Sequence, residues 1–191
     1  KFGLGFKSVF LLSDSPRVLS RNLGFETVGA IWPRRLSDAA RAELENAIAS
    51  EFGKLPHATC IDLSVDTGKA TEVLDRFQKI APWLPVFTRK IATIELHENG
   101  NTHSFQWFPK DLAESRQARW GKISSNGSTN NHLELTDGKV SWLFMMSSEG
   151  FTSLPSEVPW LWVTAPTREP CLGFVLNGPF ALDPGRTRLS M

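Results

Sequence analysis

Near Val86 the hydrophobic pattern of this 191-residue chain changes period, and that change limits the fold more than any other feature of the sequence. Before it, two stretches carry apolar residues at helical spacing. After it, apolar and polar residues alternate between turn signals, as they do in hairpins. Ser37 and Asp38 open a run in which Ala40, Leu44, Ala47, Ile48 and Phe52 share a face and Gly53 closes it, which predicts a helix over 38–52. A second helix is predicted from about residue 70 to 80, with Val73, Leu74, Phe77 and Ile80 on one side, ending before Pro82. Strands are predicted over 17–20, 25–32 and 59–65, the first two joined by a turn at Asn22-Leu23-Gly24.

Beyond Val86, residues 91–97 alternate, Glu98-Asn99-Gly100-Asn101 turns, and residues 102–108 return. Residues 110–120 read as helical. Residues 124–131 read as a polar loop because no apolar residue anchors them, and His132, next to Asn131, reads as loop too. The clearest hairpin runs through 133–136, Asp137-Gly138 and 139–146; two further strands are predicted at 160–163 and 172–176.

Composition excludes several classes. Thirteen Phe and seven Trp supply the apolar area that a disordered chain lacks. The longest apolar run, Trp142-Leu143-Phe144-Met145-Met146, is strand-sized, far short of the roughly 18 residues of a membrane span. Two cysteines, Cys60 and Cys171, do not make a disulfide scaffold. With a net charge of +1 and its charges mixed, the chain has no basic groove to accompany its aromatics, which argues against nucleic acid. Trp142, Trp160 and Trp162 are expected in the core. There is no signal-peptide pattern, so a cytoplasmic setting is expected and the Asn126-Gly127-Ser128 sequon carries no weight. The chain opens on Lys1 in mid-motif and is expected to continue upstream.

The sharpest chemical feature is that opening. Gly3 and Gly5 free the backbone to approach a ligand, and a short helix expected just after them would present unpaired N–H groups to an anion, with Lys7 adding charge. A Rossmann turn would need glycine where Ser8 stands, and a Walker loop would need glycine where Leu63 precedes Gly68-Lys69. His57 with Cys60, and His97 with His103, fall short of a metal-ligand set. No Cys–His pair has an activating partner.

Phe2-Gly3-Leu4-Gly5-Phe6-Lys7-Ser8-Val9-Phe10, with Asp14 and Pro16 after it, resembles the second glycine box of GHKL ATPases, most closely that of sacsin and its bacterial relatives, which are similar to heat shock protein 90 chaperones. The resemblance implies that Gly3, Leu4, Gly5, Phe6, Lys7 and Ser8 wrap the phosphates of ATP with backbone amides. Residues 57–63 resemble the Gly-Thr strand of that family, which would put Thr59 against the adenine, with Ala58 replacing the usual glycine. Residues 173–189 resemble the sacsin-type signature of a strand, Asn-Gly-x-Phe and an arginine before a leucine. By that match Arg186, or else Arg188, stabilises charge at the γ-phosphate.

The fold so implied is α/β: residues 1–68 as the C-terminal part of a GHKL α/β sandwich, and 69–191 as an α+β, middle or transducer-like segment. The catalytic glutamate and the Mg²⁺-binding asparagine would lie upstream, so the parent would bind and hydrolyse ATP, this piece alone would not, and its first unit would expose apolar surface. Partners would be ATP, ADP and protein clients, with no membrane. Two other readings stand beside this one. One is a β-rich interaction module whose glycine turn is structural. The other is a DNA-associated GHKL relative, disfavoured because those proteins use a lysine from a transducer loop.

Overall fold

The computed structural model describes residues 8–29, 32–53, 58–88, 90–112, 115–125, 128–163, 165–183 and 189. They belong to two compact units, Lys1–Val73 and Leu74–Met191.

The first described element of the first unit is a single 3₁₀ turn, Ser8–Leu11, followed by strand β1 (Arg17–Ser20). The chain reverses at Arg21-Asn22, where Arg21 takes a φ of 49°, and returns as β2 (Leu23–Val28). The single strand predicted over 25–32 is two: Gly29, at φ 61°, ends β2, and β3 (Trp32–Arg35) runs back along it. Helix α1 (Asp38–Phe52) starts where the Ser37 hydroxyl accepts from the Ala40 N–H at 3.2 Å, and ends at Gly53 with φ 72°. Strand β4 (Thr59–Asp62) completes an antiparallel sheet of order β3-β2-β1-β4. Leu44 of α1, with Ala40 and Ile48, packs on Leu19, Leu36 and Cys60. A Cβ at Gly24 would meet Leu19 and Leu36 at 3.5 Å, an ordinary contact, so this glycine is not required by the packing. On the same face Arg17 Nε donates to Asp62 Oδ2 at 2.7 Å, fastening β1 to β4.

Helix α2 (Thr67–Ile80) begins three residues earlier than predicted because the Asp66 carboxylate accepts from the Gly68 and Lys69 N–H groups. In the second unit, a 3₁₀ turn (Ala81–Trp83) and one helical turn, α3 (Leu84–Phe87), precede the strands. These are β5 (Thr93–Glu98), β6 (Asn101–Leu112), β7 (Ser115–Ser125), β8 (Ser128–Thr136), β9 (Ser141–Ser147), β10 (Gly150–Thr152), β11 (Leu161–Val163), β12 (Ala165–Pro166) and β13 (Phe174–Asn177). They form one sheet of order β12-β11-β13-β9-β8-β7-β6-β5, with β10 on β9, antiparallel except where β11 meets β13. One face is covered by residues 80–87: Trp83, Val86 and Phe87 pack with Ile123, Leu143, Val175 and Trp162. Trp162 is fully buried, and its indole N–H donates to the Pro159 carbonyl at 2.9 Å.

The expected α/β sandwich with an α+β segment is therefore corrected: the chain is mostly β, in two antiparallel or mixed sheets, and among the described residues only α1 and α2 exceed one helical turn. Two local errors account for much of the difference. Residues 110–120 have helix-forming composition, yet Trp120 pairs with Leu133 and Arg119 with Glu134 on alternate faces of β7, and cross-strand pairing overrides propensity. Residues 124–125 and 128–131 are not loop but the facing ends of β7 and β8, paired up to Ser125↔Ser128, and the Asn-Gly between them in sequence is a strong hairpin signal.

His132 is likewise not in a loop. It lies buried in β8 on the core face, edge-on to the Trp107 ring at a centroid separation of 6.5 Å. Its Nδ1 is 3.0 Å from the Asn130 carbonyl, which only accepts, so Nδ1 carries the proton and Nε2 has no partner among the described residues. Burial pushes its pKa down to about 4, against the small opposing effect of the Asn130 bond. Of the three tryptophans expected in the core, Trp162 is there; Trp142 is 37% exposed on the opposite face and Trp160 is half-buried.

Two predictions follow from this packing. An added Cβ at Gly121 would collide with the Trp107 ring, so Gly121→Ala should lower stability by about 1–3 kcal/mol in urea unfolding, with much of the loss recovered in a Trp107→Leu background. Because the folded-state pKa of His132 is depressed, the unfolded chain takes up its proton first. Its contribution is complete above pH 6.5 and is lost as pH falls toward 4, by about 3 kcal/mol in all. Urea midpoints at pH 7 and 4.5 should differ more for the native chain than for His132→Phe.

Candidate functional site

Strand alternation sorts the first unit's side chains onto two faces. Arg17, Leu19, Cys60 and Asp62 lie on the α1 side, so Val18, Ser20, Leu23, Phe25, Thr59 and Ile61 lie on the other. On that second face Thr59, Ser20 and Leu23 form one cross-strand row, and Ile61, Val18, Phe25 and Arg35 form the next. The Thr59 and Ser20 hydroxyls are hydrogen-bonded at 2.8 Å. Val18 is buried, but Leu23 is 58% and Ile61 48% exposed. Beside them a shallow hollow of about 660 Å³ is lined by Leu23, Phe25, Pro33 and Arg35. The face thus offers hydroxyls, apolar side chains and one guanidinium, which suits a planar ring with a polar edge better than it suits acid–base chemistry.

Thr59 is the residue implied by the resemblance whose side chain the structure describes, and it is exposed at the start of β4. Ser8 opens the 3₁₀ turn. Gly3, Leu4, Gly5, Phe6 and Lys7 lie outside the described residues, as do His57, Arg186 and Arg188. The element that follows the glycines is four residues long, so a helix macrodipole adds nothing to phosphate binding here; the amides of the glycine segment would have to suffice. Gly68 and Lys69 sit in the first turn of α2, where their N–H groups donate to the Asp66 carboxylate. Sequence reasoning passed over Arg35, whose alternation with Arg34 in β3 puts it on the Thr59 face while Arg34 pairs with Glu26 on the α1 side.

Other chemistry finds little support. Among the described residues no three of His, Cys, Asp and Glu cluster as a metal would require. His97 does not meet His103; its Nδ1 lies 3.3 Å from the Thr102 hydroxyl and its Nε2 3.4 Å from Glu95. Burial, followed by the nearby Asp62, pushes the Cys60 thiol up, away from the reactive thiolate. No helix is long and apolar enough to cross a membrane among the described residues.

No family model matches the chain, and neither does any curated protein or solved structure at a significant level.

Because the Thr59–Ser20 hydroxyl pair is exposed, Thr59→Ala should change stability by less than about 0.5 kcal/mol in urea unfolding. A larger loss would mean that β4 depends on this pair, and that Thr59 is structural.

Proposed function

We propose that this chain supplies the phosphate-binding turn of an ATP-binding, chaperone-like protein similar to sacsin and heat shock protein 90. The observation that carries the reading is the pairing of β1 with β4. The strand that follows the Gly3–Ser8 segment lies directly beside the strand that begins with Thr59, although 38 residues separate Ser20 from Thr59 in sequence. The two motifs that the resemblance assigns to phosphate and to adenine thus precede and occupy adjacent strands of one sheet. The exposed Leu23 and Ile61 beside Thr59 supply an apolar surface for a base.

On this reading the amides of Gly3 to Ser8 hold the phosphates, and glycine is needed where a side chain would fill the anion's place. Mg²⁺ would accompany the nucleotide. In the full-length gene product, Gly5→Glu puts a carboxylate where the phosphates bind and should abolish ATP binding, measured by calorimetry, while leaving the unfolding transition in place. Arg186→Ala should lower ATP turnover at least tenfold with nucleotide affinity changed less than about threefold. Nucleotide binding that survives Gly5→Glu would remove the reading.

A β-rich interaction module without nucleotide dependence is the second reading. The observation in its favour is the outer face of the larger sheet, where Trp120, Leu133, Phe144 and Phe174 form a cross-strand row and Leu135 and Trp142 are more than one-third exposed. Absence of ATP binding in the full-length gene product would favour it.

A further inference from the structure

The second unit contains a cleft that neither reading uses. Strand β5 begins opposite Gln106, so β6 runs on past it, and the space beyond Thr93 is closed on one side by residues 85–88 and 90–92 and on the other by β6, β7 and β8. Its volume is about 690 Å³, within the range of small-molecule sites.

The cleft's chemistry is sorted by depth. Glu134 is sealed at the floor, with its side chain 3% exposed, and is paired to Arg119, whose Nε donates at 2.7 Å and whose Nη2 reaches the same carboxylate oxygen. Arg119 itself is 33% exposed, and its Nη1 has no partner among the described residues. Lys90 and Lys139 stand exposed at the rim, neither in an ion pair among the described residues. Among the described residues lining the cleft, Asp111 is the one exposed carboxylate, and it lies opposite Arg119 across β6 and β7. Among the described residues that line the cleft, a ligand therefore meets three cations and one exposed anion, because the second anion is paired inside the wall; Asp137, next to the lining, acts electrostatically on Lys139. Between these charges the wall is mixed, with apolar Pro85, Phe87 and Trp107 beside the polar Thr88, Thr136 and Ser141.

Phe87 and Trp107 also belong to or pack on the core, so the wall is held by the same packing that holds the sheet. A buried Arg–Glu pair is costly unless its hydrogen bonds are satisfied, and an arginine held by its carboxylate with one nitrogen free is a pre-oriented donor. Addition of a peptide strand along the free edge of β6 is opposed by Pro109, which lines the cleft and has no N–H to offer.

We propose that this cleft binds a small organic anion, a carboxylate or phosphate head on a flat apolar body. The head sits among Arg119 Nη1, Lys90 and Lys139, and the body lies against Phe87 and Trp107.

The test is calorimetry on the 191-residue chain with 2-naphthoate, 2-naphthyl phosphate and the neutral 2-naphthalenemethanol. At least one anion should bind with a Kd on the order of 1 mM or tighter, and the alcohol at least tenfold more weakly. Whichever anion binds more tightly identifies the head group. Lys90→Glu/Lys139→Glu should weaken the anion at least tenfold, and the milder Lys90→Ala/Lys139→Ala should weaken it severalfold, each with an unchanged circular dichroism spectrum. Lys122→Glu, on the outer face of the same sheet, should have no effect. Equal binding of the alcohol, binding indifferent to the rim substitutions, or no saturable heat from either anion at 10-fold that Kd would each overturn the proposal.

Discussion

The second unit depends on one contact, the laying of residues 80–87 across the inner face of its sheet. Phe87 meets Trp162 at a ring separation of 5.2 Å, tilted by 49°, and Trp83 and Val86 join them over Leu143 and Val175. A sheet of this width with only a solvated inner face would leave a row of large apolar side chains in water, at roughly 1.5–3 kcal/mol for each. Pro82 and Pro85 stop α2 from continuing as a regular helix, and the chain is forced into two short turns that lie flat on the strands. The interruption of the helix is what makes the cover. From this contact follow the burial of His132 and the closure of the anion cleft, with the partly buried Trp107 touching both.

The inner face pays for that compactness with polar groups it does not fully satisfy. The indole nitrogens of Trp83 and Trp107 and Nε2 of His132 are buried without partners among the described residues. Each such group costs about 1–3 kcal/mol. Glu134, two residues along β8 from His132, is satisfied by Arg119 instead, so two adjacent inward positions on one strand meet opposite fates. The neutral imidazole tolerates burial because only its uncharged form is present; the carboxylate tolerates it because a guanidinium accompanies it.

How much of this was legible in the sequence depended on whether the deciding interaction was local. Helix α1 was legible because Ser37 and Gly53 are its own caps, and the Asp137-Gly138 hairpin because Asp137 accepts from the Lys139 and Val140 N–H groups within the turn. Residues 110–120 were misread because Trp107, a residue on the neighbouring strand, demands Gly121 and so fixes the register of β7. The first unit's candidate face was half legible. Thr59 was named from its motif, whereas the Ser20 hydroxyl it meets and the exposed row of Leu23 exist only once β1 lies between β2 and β4. Arg119 and Glu134 carried no signal at all, since a charged pair reads as solvated until strand pairing turns both side chains inward.

The corrected fold also changes what the glycine segment must accomplish. A long helix behind it would have lent a partial positive charge of about +0.5 at the phosphates. A four-residue 3₁₀ turn cannot, so binding would rest on successive amides and on whatever cations approach. Such a site gains selectivity from geometry and little from charge. It follows that removing the charge of Lys7 should matter less than closing the backbone at Gly5. The opposite balance holds in the second unit, where charge is abundant at Arg119, Lys90 and Lys139 and the backbone contributes little. The two candidate sites therefore differ in their response to salt. Raising ionic strength weakens an interaction made mostly by exposed lysines and leaves one made by amide dipoles nearly unchanged, which separates nucleotide held by the glycine segment from an anion held in the cleft.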